Sequence, residues 1–372
     1  NRTRWAISRP SRGHRWLDAI SGLVVGATGI TGGNLAQYLV ASGWTVYGLS
    51  RRAERTGGVI PVAADLLDAD STATALKSLP ITHVFYCTWT QRDNEKDNVE
   101  ANGAMMNNLF AALDPERLEH VSLVTGTKQY LGSFEAYGSG RVETPFRESA
   151  ERVPGPNFYY TLEDIMRDVA ERYGIAWNVH RPHTVIGYAP GNIMNMGTTL
   201  AVYATICRET GKAFTFPGSQ EQWHYLTDLT DALLLARQME WAALAPGAAN
   251  QAFNTVNGDV FRWRRLWHEI GGYFGVEVAD CPDTPRPLAS QMAGVEDTWR
   301  TIAQTHGLIE PDVTKLASWW HTDGDLGRTQ ECVNDINKCR NFGFHAHRET
   351  RSVFFDLFDR LAAERIIPPI RA

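Results

Sequence analysis

Two hydrophobic periods alternate along the chain. Short unbroken apolar runs read as strands buried on both faces, and the stretches between them carry apolar residues at helical spacing. The first run, residues 23–25 (LVV), leads straight into Gly26-Ala27-Thr28-Gly29-Ile30-Thr31-Gly32. Leu35, Ala36, Tyr38, Leu39 and Val40 then recur at helix spacing as far as Gly43. Further strands are predicted over residues 45–50, 59–65, 82–89, 120–127 and 176–182, with helices over about 98–113 and 157–173. This alternation predicts an α/β fold, a Rossmann-type doubly wound parallel sheet that takes ligands at the carboxyl ends of its strands.

Beyond Pro182 the rhythm changes. Pro190, Gly191, Met194 and Met196 mark a loop, and a helix is predicted over about 198–209. Residues 251–257 (QAFNTVN) read as one more sheet strand. The remainder, through Trp263, Trp267, Trp299, Trp319 and Trp320, reads as a smaller, mostly helical lobe covering the crevice. The expected organisation is a basic extension over residues 1–20, then a Rossmann domain over 21–182 with later strands returning near 225–257. The substrate-binding lobe then occupies mainly 183–372.

The glycine turn gives the first chemistry. A strand, a G-x-x-G-x-x-G turn and a helix form a dinucleotide-binding fingerprint. Its glycines let the backbone approach a pyrophosphate, and the helix N-terminus offers N–H groups to the negative charge. The second strand ends in Ser50-Arg51-Arg52. In NAD-binding folds an acid usually stands there to hold the ribose 2′-hydroxyl. Two arginines instead match the 2′-phosphate of NADP, although such a pair can also be solvated surface. Asp65 and Leu66, at the end of the third predicted strand, fall where an adenine would lie.

Composition narrows the class. With 372 residues, 43% hydrophobic and 21% charged, the chain reads as an ordinary soluble globular protein. A net charge of −6 gives no nucleic-acid footprint. Five scattered cysteines form no C-x-x-C or Cys/His cluster, so reduced thiols, no metal and a cytoplasmic location are expected. No apolar run approaches membrane-spanning length.

Ordinary short-chain dehydrogenases, which share this N-terminal fingerprint, use a tyrosine with a lysine four residues later. None of the twelve tyrosines here has that partner. Lys128, one of six lysines, follows the fifth predicted strand directly, at the cleft edge of the sheet. Residues 157–164 (NFYYTLED) open the next long helix, from which Tyr159 could approach Lys128 across the crevice. An ammonium beside a phenol favours phenolate and strengthens the phenol as a donor. Such a pair beside a nicotinamide can stabilise charge on a substrate oxygen. A buried tyrosine and a strand-capping lysine are the other reading.

These pieces together resemble the progesterone 5β-reductase/iridoid synthase-like (PRISE) enzymes, an atypical branch of the short-chain dehydrogenases. The resemblance is carried by residues 26–32, Ser50-Arg51-Arg52, residues 82–89, Thr125-Gly126-Thr127-Lys128 and Asn157-Phe158-Tyr159-Tyr160. It continues through His180-Arg181-Pro182, residues 254–259 and Trp319-Trp320. It implies NADPH-dependent reduction of the C=C bond of activated enones and enals, with Tyr159 and Lys128 catalytic. Cofactor contacts are implied at Gly26, Thr28, Gly29, Ile30, Ser50, Arg51, Arg52, Asp65, Leu66, Thr88, Gly126 and Tyr159. Pro182, Thr184 and Val185 would lie under the nicotinamide, and Trp89, Phe134 and Met194 would line the substrate pocket. His321 stands where the plant enzymes place Phe after the Trp-Trp pair, and the segment between Lys128 and Tyr159 looks shortened. A small or varied enone is therefore as compatible as a steroid or iridoid. The expected partner is such a small molecule, with no nucleic acid and no membrane, and a homodimer is left open. A carbonyl (1,2-) reductase and a non-catalytic NADP(H)-sensing regulator are the alternatives.

Overall fold

The computed structural model describes residues 20–52, 55–133, 143–192 and 194–370. The expectations for residues 1–19 and for Phe134 lie outside them. From the N-terminus the elements are β1 (Ser21–Val25), α1 (Ile30–Ala41), β2 (Thr45–Ser50), β3 (Ile60–Ala63), α2 (Ala69–Leu76) and β4 (His83–Tyr86). They continue with α3 (Glu95–Ala112), β5 (His120–Val124), α4 (Lys128–Leu131), α5 (Phe158–Tyr173) and β6 (Ala176–Pro182). With a seventh strand, Gln251–Thr255, these strands form one parallel sheet in the order seventh–β6–β5–β4–β1–β2–β3.

Side chains alternate across a strand, and β1 shows why its apolar run is unbroken. Leu23 and Val25 pack on one face with α3 and α5, where Val84, Leu123, Phe158 and Leu162 join them. Val24 packs on the other face with Leu35 and Leu39 of α1 and with Leu235 of the helix Ala232–Leu244. Both faces are covered, so Leu23, Val24 and Val25 are each buried in an apolar layer. The sheet changes winding direction between β1 and β4, which opens a crevice beyond their carboxyl ends.

A second core lies among the helices Met196–Thr210, Trp263–Phe274, Glu296–His306 and Thr350–Ala363. The tryptophans divide accordingly. Trp267 stacks on Phe214 with ring centroids 4.0 Å apart, and Trp263 and Trp299 are buried beside it. Trp320 is 55% exposed at the crevice.

Several element ends differ from their predicted places, each for a local reason. β3 stops at Ala63, and the Asp65 carboxylate turns back to accept the Leu67 N–H at 3.0 Å. β4 stops at Tyr86, and Asn102 takes the Thr90 N–H at 2.8 Å. The seventh strand stops at Thr255, and the Asn257 side chain accepts the Asp231 N–H at 2.6 Å. Helix α3 starts at Glu95 rather than Asn98 because Asn94 caps it, accepting the Asp97 N–H at 3.0 Å.

Candidate active site

Gly26, the first glycine of the turn, has φ +84°, and a Cβ there would stand 2.8 Å from the Cys87 carbonyl oxygen. A Cβ on Gly32 would collide with the Gly26 carbonyl. The turn therefore needs glycine at both positions, one for its conformation and one for the close packing of α1. Gly29 is the N-cap of α1 and makes no side-chain cap, so the helix N-terminus faces the crevice through bare backbone.

Two cavities meet at this turn, and Thr28 and Gly29 line both. The larger, about 1070 Å³, takes in Ser50, Arg51 and Arg52. Both arginines are exposed, and neither is bound to a carboxylate among the described residues. Arg360, from the last helix, reaches the same cavity and lies 3.7 Å over the Tyr188 ring. The other cavity, about 620 Å³, runs from the glycine turn to the helical lobe. Gly26, Ile30, Thr88 and Gly126 line it, as do Pro182, Thr184 and Val185. Trp89, Met194 and His321 face it together with Tyr159 and Lys128. Asp65 and Leu66 lie in neither cavity; Leu66 is buried in the sheet core.

The start of α5 places the tyrosine. Asn157 caps the helix by accepting the Tyr159 N–H at 3.0 Å, and its amide donates to the Lys128 carbonyl at 3.0 Å. One side chain thus ties the tyrosine's helix to the lysine's. The two adjacent tyrosines are not equivalent. The Tyr160 hydroxyl donates to the Gln129 carbonyl at 2.8 Å and accepts the Val153 N–H at 2.9 Å, so it is consumed by the backbone. Tyr159 turns to the cavity, and a Cβ on Gly126 would stand 3.6 Å from its hydroxyl oxygen.

Lys128 is 2% exposed, and its ammonium lies 4.3 Å from the Phe158 ring centroid and 5.9 Å from that of Tyr159. It is held by a residue the sequence analysis passed over. Both carboxylate oxygens of Glu95, itself 3% exposed, stand 2.6 Å from Lys128 Nζ. The helical start at Asn94 was the available signal: it puts a carboxylate in the first turn of α3. The same geometry revises the electrostatics, because a carboxylate this close offsets the field of the ammonium at the phenol.

The opposite wall is a second missed feature. His183 Nδ1 lies 2.6 Å from the Asp228 carbonyl and 3.0 Å from its carboxylate, and Arg328 donates to His183 Nε2 at 2.6 Å. These partners assign the imidazole proton to Nδ1. Arg328 also pairs with Asp325, which accepts from the Thr184 hydroxyl at 3.0 Å. Burial works against the Asp325 charge, yet the Arg328 guanidinium holds its carboxyl below the usual range. Only local context was available in sequence for these residues, which come from three distant segments.

The residues fit a bound dinucleotide. The glycine turn exposes backbone N–H groups between the two cavities, and a pair of arginines waits in one of them. Among the described residues no group of His, Cys, Asp and Glu could hold a metal ion, all five cysteines are free, and no helix is long and apolar enough to cross a membrane.

Comparison with known proteins identifies the family and the fold. The profile of the PRISE-like Rossmann-fold domain matches residues 65–368. The (S)-8-oxocitronellyl enol synthase CYC2 of Camptotheca acuminata is 38% identical over 363 residues, covering 93% of each chain. The 3-oxo-Delta(4,5)-steroid 5-beta-reductase of Arabidopsis thaliana is 37% identical over 360 residues, covering 93% of this chain and 92% of its own. Among solved structures, the UDP-glucose 4-epimerase of Thermotoga maritima superposes with TM-score 0.66 at 13% identity, covering 91% of this chain and 99% of its own. RMD from Pseudomonas aeruginosa gives TM-score 0.61 at 16% identity, over 92% and 98%. These last two likenesses concern the fold alone.

Proposed function

This chain belongs to the PRISE-like Rossmann-fold family, and from that premise we propose that it is an oxidoreductase using NADPH to reduce the C=C bond of activated enones and enals. The observation that carries the reading is the Tyr159 side chain at the cavity wall, backed by Lys128 from a separate helix. The similarity to an enol synthase and a steroid 5-beta-reductase supports the same chemistry. Arg51 and Arg52 support the phosphorylated cofactor, and the five free cysteines suit a reducing, cytoplasmic setting.

A bound nicotinamide would supply hydride to the β-carbon of the substrate. Backbone N–H groups at Gly29 and the start of α1 would hold the pyrophosphate, with Arg51 and Arg52 on the 2′-phosphate. As electrons move onto the substrate carbonyl, Tyr159 donates a hydrogen bond to the oxygen that becomes an enolate. Lys128 keeps the phenol in place. The α-carbon takes its proton from water, so no dedicated acid has to reach it. Loss of NADPH absorbance on adding a cyclic enone tests the reading, and no loss with any enone or enal would overturn it.

His321 is the residue expected to tune substrate choice. It faces the cavity edge-on to Trp320, with ring centroids 5.7 Å apart, and its buried Nδ1 has no hydrogen-bond partner among the described residues. That orphan nitrogen favours substrates bringing a polar group there. His321→Phe is expected to shift the kcat/KM ratio between polar and apolar enones by about tenfold and to leave NADPH affinity unchanged. An unchanged ratio across the panel would show that the residue does not meet substrate.

A further inference from the structure

The Glu95–Lys128 contact is more than a salt bridge near the site. Glu95 Oε1, besides meeting Lys128, accepts the Phe158 N–H at 2.8 Å, and Oε2 lies 3.3 Å from the Asn98 amide. One carboxylate therefore joins α3, α4 and the first turn of α5, the turn that carries Tyr159. Its place in the first turn of α3 suits a negative charge, since the helix dipole is positive there.

A lone buried ammonium about 6 Å from a phenol would pull it toward phenolate. A phenolate has no proton to donate and repels an enolate. Paired with a carboxylate at 2.6 Å, the ammonium forms a neutral unit whose field falls off as that of a dipole. We propose that Glu95 is a positioning residue that neutralises Lys128 and so keeps the Tyr159 hydroxyl protonated and aimed at the substrate oxygen. This rests on the role given to Tyr159 above. Among the described residues, the other charged groups lining the cavity are paired elsewhere. Asp325 and Arg328 pair with each other on one wall, His183 is held between Arg328 and Asp228, and His321 lies one turn before Asp325 on the helix Trp319–Leu326. Deeper in α5, Glu163 is bound to Arg181 at 3.1 Å and faces away from the cavity.

The test is the alkaline limb of the kcat–pH profile, where ionisation of the phenol ends donation. Glu95→Gln removes the carboxylate charge beside the ammonium, and the limb is expected to move down by about one pH unit or more, with NADPH affinity unchanged. Glu95→Asp keeps the charge and should leave the limb near its wild-type position, at lower kcat. The neutral pair Lys128→Met/Glu95→Gln should also keep the wild-type limb. A folded, NADPH-binding Glu95→Gln with an unmoved limb would overturn the proposal. If Glu95→Gln does not fold, the neutral pair decides, because a limb displaced in that variant would be equally contrary.

Thermal melting adds a readout without turnover. Glu95→Gln should melt roughly 5 °C below wild type, and the neutral pair should recover at least half of that loss. Equal melting of the two would contradict the charge balance. Product identity separates this proposal from the proposed function. Allylic alcohol from wild type would overturn C=C reduction yet leave the limb test valid, since a phenol donor serves that reaction too. Saturated ketone with an unmoved limb would overturn the Glu95 role alone.

Discussion

Tyr159→Phe is expected to lower kcat by about 10²–10³, the scale of removing one oxyanion donor, and to leave measurable activity. In a 1,4-addition the hydride lands on the β-carbon, and the carbonyl oxygen needs a hydrogen-bond donor but no obligatory proton. Deleting the phenol therefore removes stabilisation of charge and not a reactant. Enals, whose β-carbon accepts hydride readily, should retain the most activity. A 1,2-reduction differs, because the alkoxide must receive its proton from the tyrosine, and loss should be close to complete. The lysine belongs to the same interaction, so its effect should not multiply with that of the tyrosine. Lys128→Met alone is a poor comparison because it strands the buried carboxylate of Glu95. The neutral pair Lys128→Met/Glu95→Gln, with and without Tyr159→Phe, is the cleaner cycle. A Tyr159→Phe enzyme as fast as wild type on every enone would remove Tyr159 from the mechanism.

Changing Arg51 and Arg52 together to Ala should have the other large effect, on the cofactor. Both guanidinium groups stand at the end of β2, line the cavity that begins at the glycine turn, and have no carboxylate partner among the described residues. A phosphate there would receive charge-assisted hydrogen bonds worth about 1.5–3 kcal/mol each. The KM for NADPH should rise at least about a hundredfold on that basis, and the KM for NADH should change little. Equal losses for the two cofactors would mean that the pair does not read the 2′-phosphate. Arg360, which enters the same cavity from the last helix, is a second place to look for residual preference.

The parts of the site legible in sequence are those whose chemistry is local. The glycine turn carries its strand and helix beside it, and Arg51 and Arg52 follow a strand whose end was read correctly at Ser50. Lys128 and Tyr159 could be singled out because one of only six lysines follows an apolar strand and the tyrosine opens the next long helix, although a purely structural pair stayed open until the family resemblance was added. The contacts expected of Asp65 and Leu66 were drawn from a strand end two residues beyond the observed one. β3 stops at Ala63, and Leu66 is buried in the sheet core. Glu95 was missed because its direction depends on where α3 starts, a matter decided by Asn94. The wall of His183, Asp325 and Arg328 was out of reach for a different reason: it is assembled from segments more than a hundred residues apart, and no periodicity links them.

The most direct measurement of the central claim follows the hydride itself. Wild-type enzyme would be given 2-cyclohexenone and NADPH deuterated at the transferable position of the nicotinamide, and the product examined by NMR. The expected product is cyclohexanone with deuterium on the β-carbon. Deuterium on the carbinol carbon of 2-cyclohexenol would contradict C=C reduction and assign the enzyme to carbonyl chemistry.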